Sequence, residues 1–221
     1  MPILVKTQRT DEWWAAHLNR ITGSTAAGCL GVCKDFAPIT AYKQIKQLVA
    51  EKSNWFIEYG HRMEKPARMA YEKLTNQIVW ETGFWVHPFL PWLGASPDGI
   101  STGALEIKCP QTLPTEVPTK HYYQCMVVMA VCNLPYCDYF AWNPQCRPAF
   151  FARRIPRNLV HEAAMLVKLQ QFYKDHILTD VPPKRRKRVS KPKETLTDES
   201  RLDGNDDTDT DTEESGERKL A

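Results

Sequence analysis

The sequence lacks the marks of a disulfide-built or zinc-clipped protein. Its seven cysteines are an odd number and no two form a C-x-x-C pair, which argues against a closed set of bridges and against a zinc ribbon. No apolar run approaches a membrane span. The opening "MPILVKTQRTDEWW" is too polar for a secretory leader, so a reducing, intracellular compartment with free thiols is expected. Internal repeats are missing, and so is a decisive net charge: +3 selects no partner. What is present is 43% apolar residues, including seven Trp, in 221 residues. That is enough for one sizeable core.

Composition divides the chain into a domain over 1–181 and a tail over 182–221. The tail reads "PPKRRKRVSKPK" and then "DESRLDGNDDTDTDTEESGE", basic followed by acidic. Both stretches are too poor in apolar residues to fold alone and are expected to be disordered. The run Lys184–Arg188 has three readings: a nuclear import signal in a eukaryotic host, a DNA-binding arm, or a solvated linker. The acidic stretch masks that run, binds a basic partner, or only keeps the chain soluble.

Within the domain, "DEWWAAHLNR" is a short helix with Asp11 as cap. "ITGSTAAGCLG" is a helix of small residues capped by Thr22 or Ser24 and ending near Gly31. A third helix is expected from Thr40 to Glu51. In "FIEYGHRMEKPARMAYEKL", Tyr59, Met63, Ala67, Ala70 and Leu74 recur at helical spacing. Pro66 then means either a kink or a helix that begins close by. "NQIVWETGFWVHP" reads as a strand, and "LGASPDGI" and "GALEIKCP" as two strands joined by "DGISTG". "PTKHYYQCMVVMAVC" is a helix apolar nearly all round, hence buried. "YCDYFAWNP" and "PAFFARRIP" are strands, and "RNLVHEAAMLVKLQQFYKDHIL" is a final helix. The order predicts an α/β fold with a central mixed sheet flanked by helices. Trp13, Trp14, Trp85 and Trp92 are assigned to the core, and His61 and His87 to structural roles.

The chemistry concentrates in "ASPDGISTGALEIKCP". Side chains alternate along a strand, so Glu106 and Lys108 share one face, toward a cleft, while Leu105, Ile107 and Cys109 face the core. The hairpin folds Asp98 back toward Glu106. Two adjacent carboxylates repel unless a cation lies between them, and a hard cation such as Mg²⁺ takes oxygen ligands of this kind. A neighbouring lysine can hold a water and offset phosphate charge. Taken alone, Glu-x-Lys on a strand is an ordinary surface ladder; Pro97-Asp98 followed by Glu106-Ile107-Lys108 is more particular.

These residues match the PD-(D/E)XK nuclease pattern. More narrowly, "SPDG…GALEIKCP" resembles the phage lambda exonuclease and YqaJ-type viral recombinase family. "RITGS" (Arg20–Ser24), "GHRMEKPA", and "YYQCMVVMAV" followed by "CDYFAW" resemble its other motifs in order, over roughly residues 11–178. The resemblance implies a restriction-endonuclease-like fold and a Mg²⁺-dependent exonuclease, Mn²⁺ being able to substitute. Such an enzyme digests duplex DNA ends from 5′ to 3′, beside a single-strand annealing protein and often as a homotrimer. It implies that Asp98, Glu106, the Ile107 carbonyl and Glu64 hold the metal, and that Lys108 positions water. Ser24, Ser96 and Gln124 would hold a terminal 5′-phosphate, Ser24 at a helix N-terminus. The family often has an arginine where this chain has His17; Arg20 is the substitute. A structure-specific endonuclease and a non-catalytic DNA-binding module are the alternatives.

Overall fold

The computed structural model describes residues 3–5, 7–49 and 54–184. The expectations for the rest of the tail, including nearly all of the basic run, lie outside the described residues. A short β1 (Ile3–Val5) leads into α1 (Asp11–His17), β2 (Ile21–Thr22), α2 (Gly23–Cys29) and α3 (Pro38–Ile45). The long α4 (Trp55–Thr75) precedes β3 (Phe84–Val86), β4 (Leu93–Ala95), β5 (Gly99–Ile100) and β6 (Ala104–Lys108). Helix α5 (Thr119–Cys132), strands β7 (Tyr136–Trp142) and β8 (Phe150–Pro156), and α6 (Leu159–Phe172) complete the chain, α6 running on as a π-helical turn over Tyr173–Leu178.

The α/β class with mixed sheets and flanking helices is as the sequence predicts, but the strands divide between two four-stranded sheets. One has the order β1-β3-β4-β2, the other β5-β6-β7-β8. The break falls at Ser96-Pro97-Asp98, where Pro97 has no N–H to give a ladder. Thus β4 joins the first sheet, parallel to β2 and antiparallel to β3. Only the short β5 forms the hairpin with β6. Of the strand expected over "NQIVWETGFWVHP", β3 keeps the second half, and the first half reduces to one bridge between Trp80 and Ile100.

Helix α5 packs against both sheets. Its residues Cys125–Cys132 are all buried, which accounts for a helix apolar on every side. Helix α4 covers the opposite face of the second sheet, with Ala67 and Tyr71 against Leu105, Ile107 and Phe140. It continues through Pro66 without a break; the missing N–H leaves the carbonyl one turn earlier without its helical donor. The buried stripe of α4 is Ala67, Arg68 and Tyr71, and Leu74 is exposed.

Smaller differences are local. Thr10, not Asp11, caps α1, accepting from the Trp13 N–H. Thr22 precedes α2, its N–H donating to Thr25 Oγ1 at 2.9 Å. Helix α3 stops at Ile45, well short of Glu51. Trp92 is buried, whereas Trp13, Trp14 and Trp85 are only partly so.

Candidate active site

Strand β6 is sandwiched, which changes the expected picture of its charges. Glu106 does not look into an open cleft. It is fully buried, facing α5 beside Tyr139, its partner on the parallel strand β7. Leu105 and Ile107 face α4 on the other side. Lys108, the last residue of β6, donates from Nζ to Glu106 Oε1. Among the described residues, Glu106 Oε2 has no hydrogen-bond partner, though it is buried. A buried carboxylate oxygen in that state is costly unless something positive meets it.

Asp98 arrives from the break between the sheets. Its Oδ2 accepts the Ile107 N–H at 2.7 Å, and its own N–H donates to the Leu105 carbonyl. Two distant side chains fix this segment. Gln8 Nε2 donates to the Pro97 carbonyl at 3.2 Å and the Thr82 carbonyl at 2.8 Å. Arg68 Nη1 reaches the Asp98 carbonyl at 3.3 Å, while Nη2 binds Glu81.

Asp98, Ile107, Lys108 and Cys109 line a cavity of about 330 Å³ with Glu64, His61 and Arg9. Cys109, expected under the hairpin, therefore also borders the site. His61 is exposed there and supports no core. His87 does support structure, its Nδ1 accepting from the Phe89 and Leu90 N–H groups.

The electrostatics agree with the crowding of acids. Burial, then the Glu106 charge, pushes the Asp98 carboxyl well above its ordinary range; Lys108 pulls it down and Glu64 adds to the rise. Burial raises Glu106 as well, against the pull of Lys108. Burial alone would lower Lys108, but the Glu106 and Asp98 carboxylates lift it above its usual value. Lys108 is thus a charged donor. Behind it, His121 contacts Tyr139 Oη at 3.1 Å, and burial beside Lys108 and Lys120 lowers the imidazole to about 3.

Glu64 also borders the cavity, paired at 2.5 Å with Arg9 Nη2. Among the described residues no three His, Cys, Asp or Glu side chains group as a ready-made metal cage. A hard cation needs only one or two carboxylates, completed by carbonyl oxygen and water. The unsatisfied Glu106 oxygen, Asp98 and the Ile107 carbonyl fit that requirement.

The residues expected to hold phosphate fall into two places. Thr22 and Gly94 are the last registered pair of β2 and β4. Ser24 and Ser96 each follow two residues later, at the C-terminal edge of those parallel strands. Ser24 Oγ is 3.1 Å from Thr22 Oγ1, and Ser96 Oγ accepts from Trp13 Nε1 at 3.0 Å. Gln124 lies against Gly23, where an added Cβ would come within 3.1 Å of its Cγ; the absent side chain lets α2 and α5 approach. Arg20 is elsewhere. It precedes β2, and its Nε and Nη1 donate to the Pro91 and Ala16 carbonyls. His17 stacks against Trp13 and Phe84, its Nδ1 2.6 Å from the Trp13 carbonyl oxygen.

Sequence reasoning missed Gln8, Arg9 and Arg68 as neighbours of the site. No local motif marks them. Arg9 carries a structural sign instead, a left-handed backbone with φ of 64°, which costs a non-glycine residue about 1–2 kcal/mol.

A mixed α/β architecture with Asp98, Glu106 and Lys108 around one strand is the arrangement of a restriction-endonuclease-like protein. The profile of the YqaJ-like viral recombinase domain matches residues 12–135, and the chain belongs to that family. The structure is similar to that of an alkaline exonuclease, LHK-Exo, from Laribacter hongkongensis, at 26% identity and a TM-score of 0.66. That match covers 78% of this chain and 94% of the other. LHK-Exo in complex with dAMP matches at 27% identity, TM-score 0.67 and the same coverage. A phage related exonuclease from Haemophilus somnus 129PT shares the fold at 12% identity and TM-score 0.52, over 73% of this chain and 96% of that one. No curated protein matches the sequence.

Proposed function

We propose that this chain is a Mg²⁺-dependent exonuclease that hydrolyses phosphodiester bonds from the ends of linear duplex DNA, 5′ to 3′. The product is single-stranded DNA for recombination or viral DNA processing. The observation that carries the reading is Glu106 Oε2, buried and without a hydrogen-bond partner among the described residues, in one electrostatic cluster with the Asp98 carboxyl. Similarity to an alkaline exonuclease at 26% identity supports the reaction class.

Asp98, Glu106 and the Ile107 carbonyl would hold Mg²⁺, or Mn²⁺ in its place, with Glu64 joining once Arg9 releases it. The bound cation supplies Lewis-acid stabilisation of the phosphodiester and a more acidic water. Lys108, held protonated, orients Glu106 and offers positive charge to a backbone phosphate. Gln8 and Arg68 fix the Asp98 backbone, keeping its carboxylate in place without further ordering. Ser24, Ser96 and Gln124 present hydroxyl and amide donors to a terminal 5′-phosphate. Arg20, committed to two carbonyls, is left out of that set. An annealing protein for the exposed strand and a homotrimer belong to the same reading.

Linear duplexes labelled at either end, with and without 5′-phosphate, test it beside covalently closed circles in Mg²⁺ or chelator. Stepwise release from phosphorylated 5′ ends in Mg²⁺ alone is expected. Cleavage of closed circles would transfer the site to an endonuclease, and undiminished cleavage in chelator would remove the metal.

A further inference from the structure

Arg9 is a cation lining this cavity that no nuclease motif includes. It follows Gln8, which is tied to the Pro97 carbonyl next to Asp98, so the loop is docked on the catalytic segment. The Arg9 backbone is left-handed at φ 64°, a conformation suited to glycine and unfavourable for a long side chain. The strained arginine delivers its guanidinium to the cavity shared by Asp98 and Lys108. There it meets Glu64 at 2.5 Å, with 42% of its side chain still accessible.

We propose that Arg9 is a phosphate-contacting residue, held on Glu64 until a divalent cation takes that carboxylate. This rests on the nuclease reading above. Among the described residues three carboxyl groups, Glu64, Asp98 and Glu106, meet here, and the two cations paired with them are Arg9 on Glu64 and Lys108 on Glu106, so the site has little positive charge to spare for a phosphodiester. In that state the guanidinium serves as the counter-charge of Glu64. A divalent cation adds positive charge to the site and competes for the same carboxylate. Arg9 is then free to turn its fork of N–H donors to a backbone phosphate, which it can grip with two bonds where a lysine offers a point charge.

The test uses the full chain and Arg9→Gly, which suits the left-handed backbone, with Arg9→Lys as the charge-conserving control. Calorimetric titration with Mn²⁺, without DNA, should give Arg9→Gly a several-fold tighter affinity than the parent, because nothing competes for Glu64. Duplex binding is then measured across salt concentrations in Ca²⁺. The slope of log K against log[salt] should shrink by about 0.9 in Arg9→Gly, the value of one lost phosphate contact. Arg9→Lys should keep most of the slope. A purely structural ion pair predicts lower thermal stability in Arg9→Gly with neither affinity nor slope changed, and that result overturns the proposal. If the parent binds Mn²⁺ and duplex DNA, such a failure touches Arg9 alone. If the parent binds neither, the nuclease reading falls and takes this inference with it.

Discussion

Glu106 and Asp138 stand on neighbouring strands of one sheet, one residue out of step, and their surroundings are opposite. Asp138 is paired in register with Leu105, the residue before Glu106, so it points to the α4 side. There both of its oxygens are bound. Arg154 donates to Oδ1 at 2.9 Å and to Oδ2 at 2.8 Å, and the Tyr71 hydroxyl donates to Oδ2 at 2.6 Å. Glu106 points to the α5 side with one oxygen on Lys108 and the other without a hydrogen-bond partner among the described residues. Both acids are buried, and burial alone therefore separates nothing. Completeness of bonding does: a satisfied buried carboxylate holds the fold, and one with an unbonded oxygen is a candidate ligand-binding group.

The largest effect that could break this contrast is on catalysis. Asp98→Asn keeps an acceptor for the Ile107 N–H but removes a charge that the proposed metal site uses, so on that reading cleavage of linear duplex should fall about 10³-fold or more. Its stability should not fall with it. The folded chain holds the Asp98 proton to higher pH than the unfolded chain does. The Asp98 contribution to stability without a cation is therefore present below about pH 4 and is lost as pH rises through the raised folded value. Asp98→Asn should flatten that decline and exceed the parent in denaturant melts near neutral pH. A variant that cleaves normally, or that is strongly destabilised, would erase the distinction between the two acids.

Next in size, Asp138→Ala should cost about 2–4 kcal/mol of unfolding free energy, since Tyr71 and Arg154 lose a shared charged partner. Below its melting temperature it should still cleave within a few-fold of the parent.

Saturating Mn²⁺ sharpens the comparison. At a hundred times its Kd it should stabilise the parent and Asp138→Ala by about 2.7 kcal/mol, and Asp98→Asn by much less. Thermal melts with and without the ion decide it. The smallest effect belongs to the first turn of α2, beyond the edge of the other sheet. Ser24→Ala removes one neutral donor, worth about 0.5–1.5 kcal/mol. Preference for 5′-phosphorylated over hydroxyl ends should drop about two- to tenfold, with cleavage of pre-bound duplex little changed.

Most elements were legible because their signals are local. The apolar α5 is buried as its composition requires, and the alternation in "ALEIKC" placed Glu106 and Lys108 on one face. Alternation says which residues share a face and not what covers it. The expected open cleft was therefore wrong in a specific way: α5 closes over Glu106, and only the Lys108 end meets the cavity. The same limit applies to Arg20, which looked available for phosphate but is claimed by the carbonyls of Ala16 and Pro91.

The sequence by itself determined the order of the helices and strands, the family, and the identity of the acids and lysine around β6. All of these are written in spacing along a few consecutive residues. Only the tertiary structure decided that the strands split into two sheets at Pro97, that Glu106 keeps an unmatched oxygen, and that Arg9 is delivered to Glu64. The docking of Arg9 on Glu64 and of Gln8 on Pro97 joins partners 55 and 89 residues apart, and contacts at that range leave no periodic trace in the chain.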